Sequence, residues 1–485
     1  MDPKVILINP PSSVGAEFGV LAGGGGFRPP LNLIYLAAVL LKNGYAVEVV
    51  DAPVQCRSYE DLVARVRKFR PDYCGITATT LTISPAARAA EMIKNAYPDC
   101  PIILGGAHIS AVPEETIERY PSFDFGVIGE GELTIVDLLT ALRYRRDVGS
   151  VRGIIYRSGP EVKRTEARPP IRDLDVLPFP SWQLLPDFVE TYRPTKIRQI
   201  RFPSAYIATS RGCPYHCVFC DNAVHGRKFR SFSVDYIMAM IRKLIEEHHI
   251  RDLTIYDENL TIDRKRIVDL CERILKEKLD LTWSCDARAD SINPELLPLM
   301  YRAGCRSISF GIESGSQEVL DFYEKNLSLE QLEFAIRETK KAGIMTSGFF
   351  IIGGPTESEE TIKRTISFAK RIPLDYFTPF YFNCFPNSPI YSRIYEYGQF
   401  DPDYAKANMS EPVFIPKGMT EKQLVGLFHQ SLYSFYLRPS KILFLIRKLG
   451  VVFVAKQMKI PFLMLREKIK TMRTDHAARE VHAKP

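Results

Sequence analysis

Residues 210–222 read SRGCPYHCVFCDN and place Cys213, Cys217 and Cys220 at C-x3-C-x2-C spacing. Three thiolates so close in the chain can bind one face of a metal cluster, and thiolate is the soft ligand that iron–sulfur clusters use. No fourth protein ligand is evident beside them, so a four-iron cluster would keep one iron open to a substrate or cofactor. The alternative is a structural zinc site completed by His216 or His225. Zinc sites more often show two C-x2-C pairs in separated halves.

Working outward, the motif follows an apolar segment at 206–209, the first of six predicted strands. The others lie at 253–256, 282–285, 307–311, 346–352 and 376–382. Amphipathic helices at 234–248, 264–278, 294–303, 329–342 and 359–370 alternate with them. Six βα units of this length predict a partial (β/α)6 TIM-type barrel over 201–395, with its active site at the C-terminal strand ends. Upstream, strands at 5–8, 46–50, 73–77, 102–104 and 125–128 alternate with helices at 31–42, 59–69, 85–96, 113–118 and 132–142. That rhythm predicts an α/β, doubly wound, Rossmann-like domain over 1–150. Its strand-end loops are rich in Gly, Pro, Ser and Thr and would line a ligand crevice. One of them carries the glycine run 23–26, which lets backbone approach a ligand closely. Residues 151–200 form a Pro-rich connector that starts with one arm of a hairpin, and 396–485 form a helical, basic C-terminal region.

Composition supports this division. A chain of 485 residues suggests two or three domains. Apolar residues make up 46% and charged residues 25%, the balance of a globular protein. No apolar run reaches the length of a membrane span, and the start, MDPKVILINP, has no secretory pattern; a cytoplasmic protein is expected. Ten cysteines then suggest metal or reactive thiols rather than disulfides. The net charge of +7 is local: residues 431–485 carry +9 and the rest −2. A nucleic-acid-binding surface is therefore not expected. The tail mixes apolar and basic residues at helical spacing, the pattern of a helix packed on the barrel or lying on an anionic membrane surface. Cys74, Cys271, Cys285 and Cys305 read as small core residues. A second cluster built from Cys56, Cys74 and Cys100 is not favoured, because Cys74 falls within a strand.

The cysteine spacing after the first strand of a six-unit barrel resembles the radical S-adenosylmethionine (SAM) superfamily. The resemblance implies that Cys213, Cys217 and Cys220 bind a [4Fe–4S] cluster whose open iron chelates SAM, and that one electron cleaves SAM to a 5′-deoxyadenosyl radical. It places Phe219 beside the adenine, Asp257 and Glu258 at the amino end of SAM, and Gly311 and Glu313 near SAM. Gly353 and Gly354, in GFFIIGGPTES, would let backbone approach the adenine or ribose. Asn387 stands where the family often has Gly. Cys384, just past the sixth strand, is either a hydrogen donor to a product radical or an edge thiol.

The N-terminal segment resembles the cobalamin-binding domain fused to many of these enzymes, through LINPP, TATT, LGGAH and GEGE at successive strand ends. The resemblance implies cobalamin contacts from Asn9, Thr79, Thr80, Gly105, Gly106, Gly129 and Glu130. His108 would contact the corrin or cap a helix. Cobalamin mutases use D-x-H-x-x-G; here Asp51 is followed by Ala52, Pro53 and Val54, so no histidine would reach cobalt. The two cofactors together imply methyl transfer to an unactivated carbon of a hydrophobic small molecule. Cyclisation or rearrangement, as in the anaerobic Mg-protoporphyrin monomethyl ester cyclase family, is the alternative. A non-catalytic iron–sulfur sensor is a further one. Flavodoxin or ferredoxin would supply electrons, and the basic tail could touch a membrane.

Overall fold

The computed structural model describes residues 2–12, 26–194, 199–404, 406 and 411–451. Two parallel sheets dominate it. The first contains β1 (Lys4–Asn9), β2 (Ala46–Asp51), β3 (Tyr73–Thr77), β4 (Ile102–Gly105), β5 (Phe125–Val127), β6 (Ile154–Ser158) and β7 (Glu161–Arg164), in the order β2-β1-β3-β4-β5-β6-β7. Its first five strands are parallel. Strands buried on both faces read as near-continuous apolar runs, and Ile6, Ile8, Cys74, Ile76, Ile102 and Leu104 are all buried. The hairpin β6–β7 pairs antiparallel with β5 and extends this sheet to residue 164, beyond the expected connector boundary at 150. The rest of the connector sends Leu174, Leu177, Trp182 and Phe188 into a core shared with both sheets.

The second sheet contains β8 (Ser204–Ile207), β11 (Asp252–Ile255), β12 (Thr282–Ala287), β13 (Cys305–Glu313), β14 (Met345–Ile352) and β15 (Tyr376–Tyr381). They pair in chain order, all parallel, as an open six-stranded partial barrel. A two-residue ribbon closes the loop after β8: β9 (Ser210–Arg211) pairs antiparallel with β10 (Arg230–Ser231). Covering helices start at capping serines: Ser233 accepts from the Tyr236 N–H, and Ser328 and Ser358 each form a capping box.

At the far edge, β15 is covered by the C-terminal helix α1 (Glu421–Tyr436). Tyr381 stacks on Phe428 at 4.1 Å between ring centres. The Tyr436 hydroxyl accepts from the Phe377 N–H at 3.0 Å and donates to the Phe377 carbonyl at 2.7 Å. A further helix, α2 (Pro439–Leu449), buries no side chain fully. The tail beyond residue 451 and the glycines at 23–25 lie outside the described residues. Among the described residues, no helix is long and apolar enough to cross a membrane.

Candidate active site

The cysteine loop leaves β8 at the C-terminal face of the partial barrel and returns through β10. Asp257 fixes its start. The carboxylate accepts from the Thr209 and Ser210 amides at 2.6 and 3.1 Å and from their hydroxyls at 2.5 and 2.6 Å. Arg266 donates to the Thr209 carbonyl from behind. Asp257 is thus saturated and buried, and it holds the loop instead of facing SAM, as the sequence had suggested. Its neighbour Glu258 is exposed; the Cys213 thiol is pushed up mainly by burial, with Cys217 and Glu258 adding to it.

Cys213 and Cys220 are half-buried, Cys217 is buried, and none forms a disulfide. Burial, then the charges of Cys217 and Cys213, pushes the Cys220 thiol up to about 12, while Lys325 pulls it down. Three thiolates this close repel unless a cationic centre binds them. Among the described residues, no three His, Cys, Asp or Glu side chains converge as they would around one metal ion. A zinc ion needs four donors about 2.0–2.3 Å from one point, whereas a four-iron cluster takes each thiolate on a separate iron. His216 is exposed, and His225 Nδ1 stands 3.4 Å from Glu130 Oε1. The donor set therefore fits a cluster better than zinc.

Two cations that sequence reading missed stand against the loop. Arg288, after β12, lies over the Tyr215 ring at 3.4 Å. It donates to Cys217 Sγ at 3.8 Å and to the Lys325 carbonyl at 2.8 Å. Lys325 Nζ pairs with Glu313 Oε1 at 2.8 Å and sits 6.0 Å from the Phe219 ring centre. Phe219 meets Tyr323 edge-on at 5.2 Å. Glu313 ends β13 with φ +66, a left-handed conformation that non-glycine residues adopt rarely. A Cβ at Gly311 would come within 2.6 Å of Glu313 Oε1 and 3.0 Å of Lys325 Nζ. Glycine there makes room for this ion pair. The amides of Gly353 and Gly354 both donate to Glu357 Oε2, at 2.7 and 2.9 Å. A Cβ on Gly354 would overlap the Tyr323 hydroxyl. The pair is required by packing, since a Cβ on Gly353, which has φ +81, would come within 2.6 Å of Leu424; burial raises the Glu357 carboxyl to about 8.

On the N-terminal sheet the strand-end loops are tied to one another. Asn9 donates to Asp51 at 2.7 Å. Ser110 donates to the Gly106 carbonyl and accepts from the Gly129 amide. Gly106 has φ +103, and a Cβ there would meet the Ala78 carbonyl at 2.6 Å, so the β3–β4 junction itself demands glycine. Gly105 differs: a Cβ there meets nothing within 4 Å. Thr79 is exposed, but Thr80 is buried, with its hydroxyl 3.2 Å from His108 Nδ1. His108 packs edge-on against Tyr404 at 4.8 Å. Burial, then Arg119, lowers its imidazole to about 4. Both side chains thus meet the C-terminal segment at Tyr404.

Glu130 departs furthest from expectation. Its carboxylate accepts from Arg211 at 3.0 Å, from Arg230 at 2.9 and 3.0 Å, and from the Ile171 amide at 2.7 Å. Glu132 pairs with the other Arg211 nitrogen. Burial alone would raise the Glu130 carboxyl; His225, Arg230 and Arg211 outweigh it and hold the group well below the usual carboxylate range. It is an internal ion-pair residue, closed to a cofactor.

Comparison with known proteins agrees with this anatomy. Residues 207–369 match the radical SAM superfamily and residues 19–139 the B12 binding domain. An uncharacterized methyltransferase of Pyrococcus horikoshii is 32% identical over 91% of this chain and 94% of its own length. The chain belongs to the cobalamin-dependent radical SAM enzymes. The anaerobic magnesium-protoporphyrin IX monomethyl ester cyclase of Rubrivivax gelatinosus is 30% identical, over 90% of this chain and 78% of that one. The radical SAM methyltransferase TsrM of Kitasatospora setae, solved with cobalamin and a [4Fe–4S] cluster, shares the fold at TM-score 0.68. Its identity is 17%, over 91% of this chain and 90% of that one. The cofactors of this radical SAM enzyme are thus SAM with a [4Fe–4S] cluster, and cobalamin.

Within the radical SAM enzyme, the structure brings Cys213, Cys217, Cys220, Phe219 and Glu313 together through Arg288 and Lys325. Cys384 packs into the apolar cluster that backs Val218 and Phe219 of the cysteine loop. It shares a recess of about 10 Å³, room for one water, with Thr80, Asp401 and Tyr404. Burial pushes its thiol up to about 12, so it is a neutral S–H at physiological pH.

Proposed function

We propose that this enzyme methylates an unactivated carbon of a hydrophobic small molecule. When bound, SAM at the cluster supplies a hydrogen-abstracting radical and cobalamin supplies the methyl group. The three loop cysteines would hold the cluster. Arg288 and Lys325 are suited to the SAM carboxylate and Glu258 to its ammonium, because charge-assisted hydrogen bonds match those groups. Gly105 and Thr79 would lie against cobalamin. The observation that carries the reading is the direct ionic contact between the 129–132 loop of the cobalamin domain and the stem of the cysteine loop, since methyl transfer needs both cofactors near one carbon. Phe382 and Phe414 form a buried apolar cluster against Val218 and Phe219, so the surroundings of the cysteine loop are apolar, in keeping with a hydrophobic substrate. Cys384 would donate hydrogen only if a substrate opened its recess.

Cyclisation is the second reading, favoured by the 30% identity to the Rubrivivax cyclase. The products distinguish the two. With reduced flavodoxin or ferredoxin as electron donor, methyl transfer yields 5′-deoxyadenosine and S-adenosylhomocysteine in equal amounts, one of each per methylated product. Turnover with 5′-deoxyadenosine and no S-adenosylhomocysteine would establish the cyclase or rearrangement chemistry instead.

We also propose that α2 rests on an anionic bilayer. Leu443 is exposed, and the last turn of the helix carries Arg447 and Lys448 with no acid in the helix. Arg438 and Lys441 tie its first turn to the Lys370 and Leu374 carbonyls, so the helix is held at the barrel surface. The protein should sediment with phosphatidylglycerol vesicles at low salt and release as salt rises. Absence from the vesicle pellet at low salt would rule out this contact.

A further inference from the structure

We propose that Glu130 is the positioning residue that sets the spacing between the two cofactor sites, with Arg211 and Arg230 as its partners. The inference rests on the presence of both cofactors. Glu130 follows Gly129, at the end of β5. Arg211 stands two residues before Cys213, the first cysteine of the loop. Arg230 faces Arg211 across the β9–β10 ribbon. Both stem arginines of the cysteine loop therefore converge on one carboxylate of the cobalamin domain. Arg230 also donates to the Ile171 carbonyl at 2.7 Å, while the Ile171 amide donates to Glu130. Three segments distant in sequence meet at this point: the β5 loop, the connector and the stem of the cysteine loop.

The node contains two carboxylates and two guanidiniums, all less than a tenth exposed. A buried ion network adds little stability over an apolar contact of the same volume. What it adds is direction: a guanidinium is a rigid fork that fixes both distance and angle to a carboxylate. Here that precision lies one residue from Gly129 on one side and two from Cys213 on the other. Apolar packing would join the two domains equally well, but it would leave their relative placement softer.

The test uses full-length enzyme carrying both cluster and cobalamin, in wild-type form and as Glu130→Gln and Arg211→Lys. Iron content and hydroxocobalamin content establish occupancy. The spin relaxation of the Co(II) signal, with the cluster oxidised and then reduced, reads the distance between the centres by electron paramagnetic resonance. Both variants should retain both cofactors, while the relaxation enhancement by the reduced cluster falls severalfold or becomes heterogeneous. Arg211→Lys keeps every charge and loses only the fork, so a smaller change in the same direction is expected from it. Unchanged enhancement in occupied Glu130→Gln would overturn the proposal. So would loss of a cofactor from both variants, which would make the node a folding or retention element. Wild-type protein lacking either cofactor would instead contradict the assignment of function.

Discussion

Replacing Cys213, Cys217 and Cys220 together with alanine removes the iron and, with it, all formation of 5′-deoxyadenosine from SAM and dithionite. Wild-type enzyme reconstituted without oxygen should carry about four irons per chain and show broad thiolate-to-iron absorption. The loop that loses its thiols keeps its stem, because Asp257 grips Thr209 and Ser210 while Glu130 grips Arg211 and Arg230. Two of the three cysteines are half-buried in a loop, so their truncation leaves no large core cavity. The apo form of the variant should therefore unfold close to apo wild type, and lost activity would report lost cluster. Iron retained at the wild-type level in the triple variant would refute the assignment.

Gly105→Trp should divide the enzyme's two activities. A Cβ at Gly105 meets nothing within 4 Å, so a side chain can leave the backbone there without a clash at its root. Hydroxocobalamin affinity is expected to fall by about tenfold or more, equivalent to about 1.4 kcal/mol. Cluster content and 5′-deoxyadenosine formation should persist, while S-adenosylhomocysteine disappears. Gly106 cannot serve this purpose: with φ +103 and the Ala78 carbonyl 2.6 Å from its would-be Cβ, any substitution there strains the sheet itself. Full cobalamin occupancy in Gly105→Trp would show that the corrin lies elsewhere.

The scaffold was largely readable from hydrophobic period. The expected helix at 31–42 and strand at 73–77 coincide with Leu31–Lys42 and Tyr73–Thr77, because amphipathic and fully buried segments each leave a local signature. One arm of the hairpin after residue 150 is legible in the sequence; the other, β7, is an exposed edge strand with no continuous apolar run, and the antiparallel pairing of β6 with β5 leaves no local pattern. The site was legible only where its chemistry is local. C-x3-C-x2-C announces itself, whereas the Glu130–Arg211 contact spans 81 positions and leaves no pattern in any window. A trace was present: an arginine at each end of the cysteine loop, in SRG and in FRS, opposite a glycine-flanked pair of acids in GEGE. The expectation that Asp257 meets the amino end of SAM rests on the family resemblance and on the match of a carboxylate to an ammonium. Nothing in YDEN shows that the carboxylate turns back to meet two amides.

The hydroxyl of Tyr436 has a consequence for how this chain behaves in a crowded solution. The sheet of the partial barrel stops at β15, which would otherwise offer unpaired amides and carbonyls to any passing strand. At Phe377 one phenol answers both polar groups, in the place a neighbouring strand would occupy. Helix α1 lays Phe428 and Phe435 along the same border. Open borders of this kind invite intermolecular pairing and fibrous assembly. The C-terminal helix thus acts as a selvedge: it finishes a fabric that six strands leave unbound, and keeps one molecule from being woven into the next.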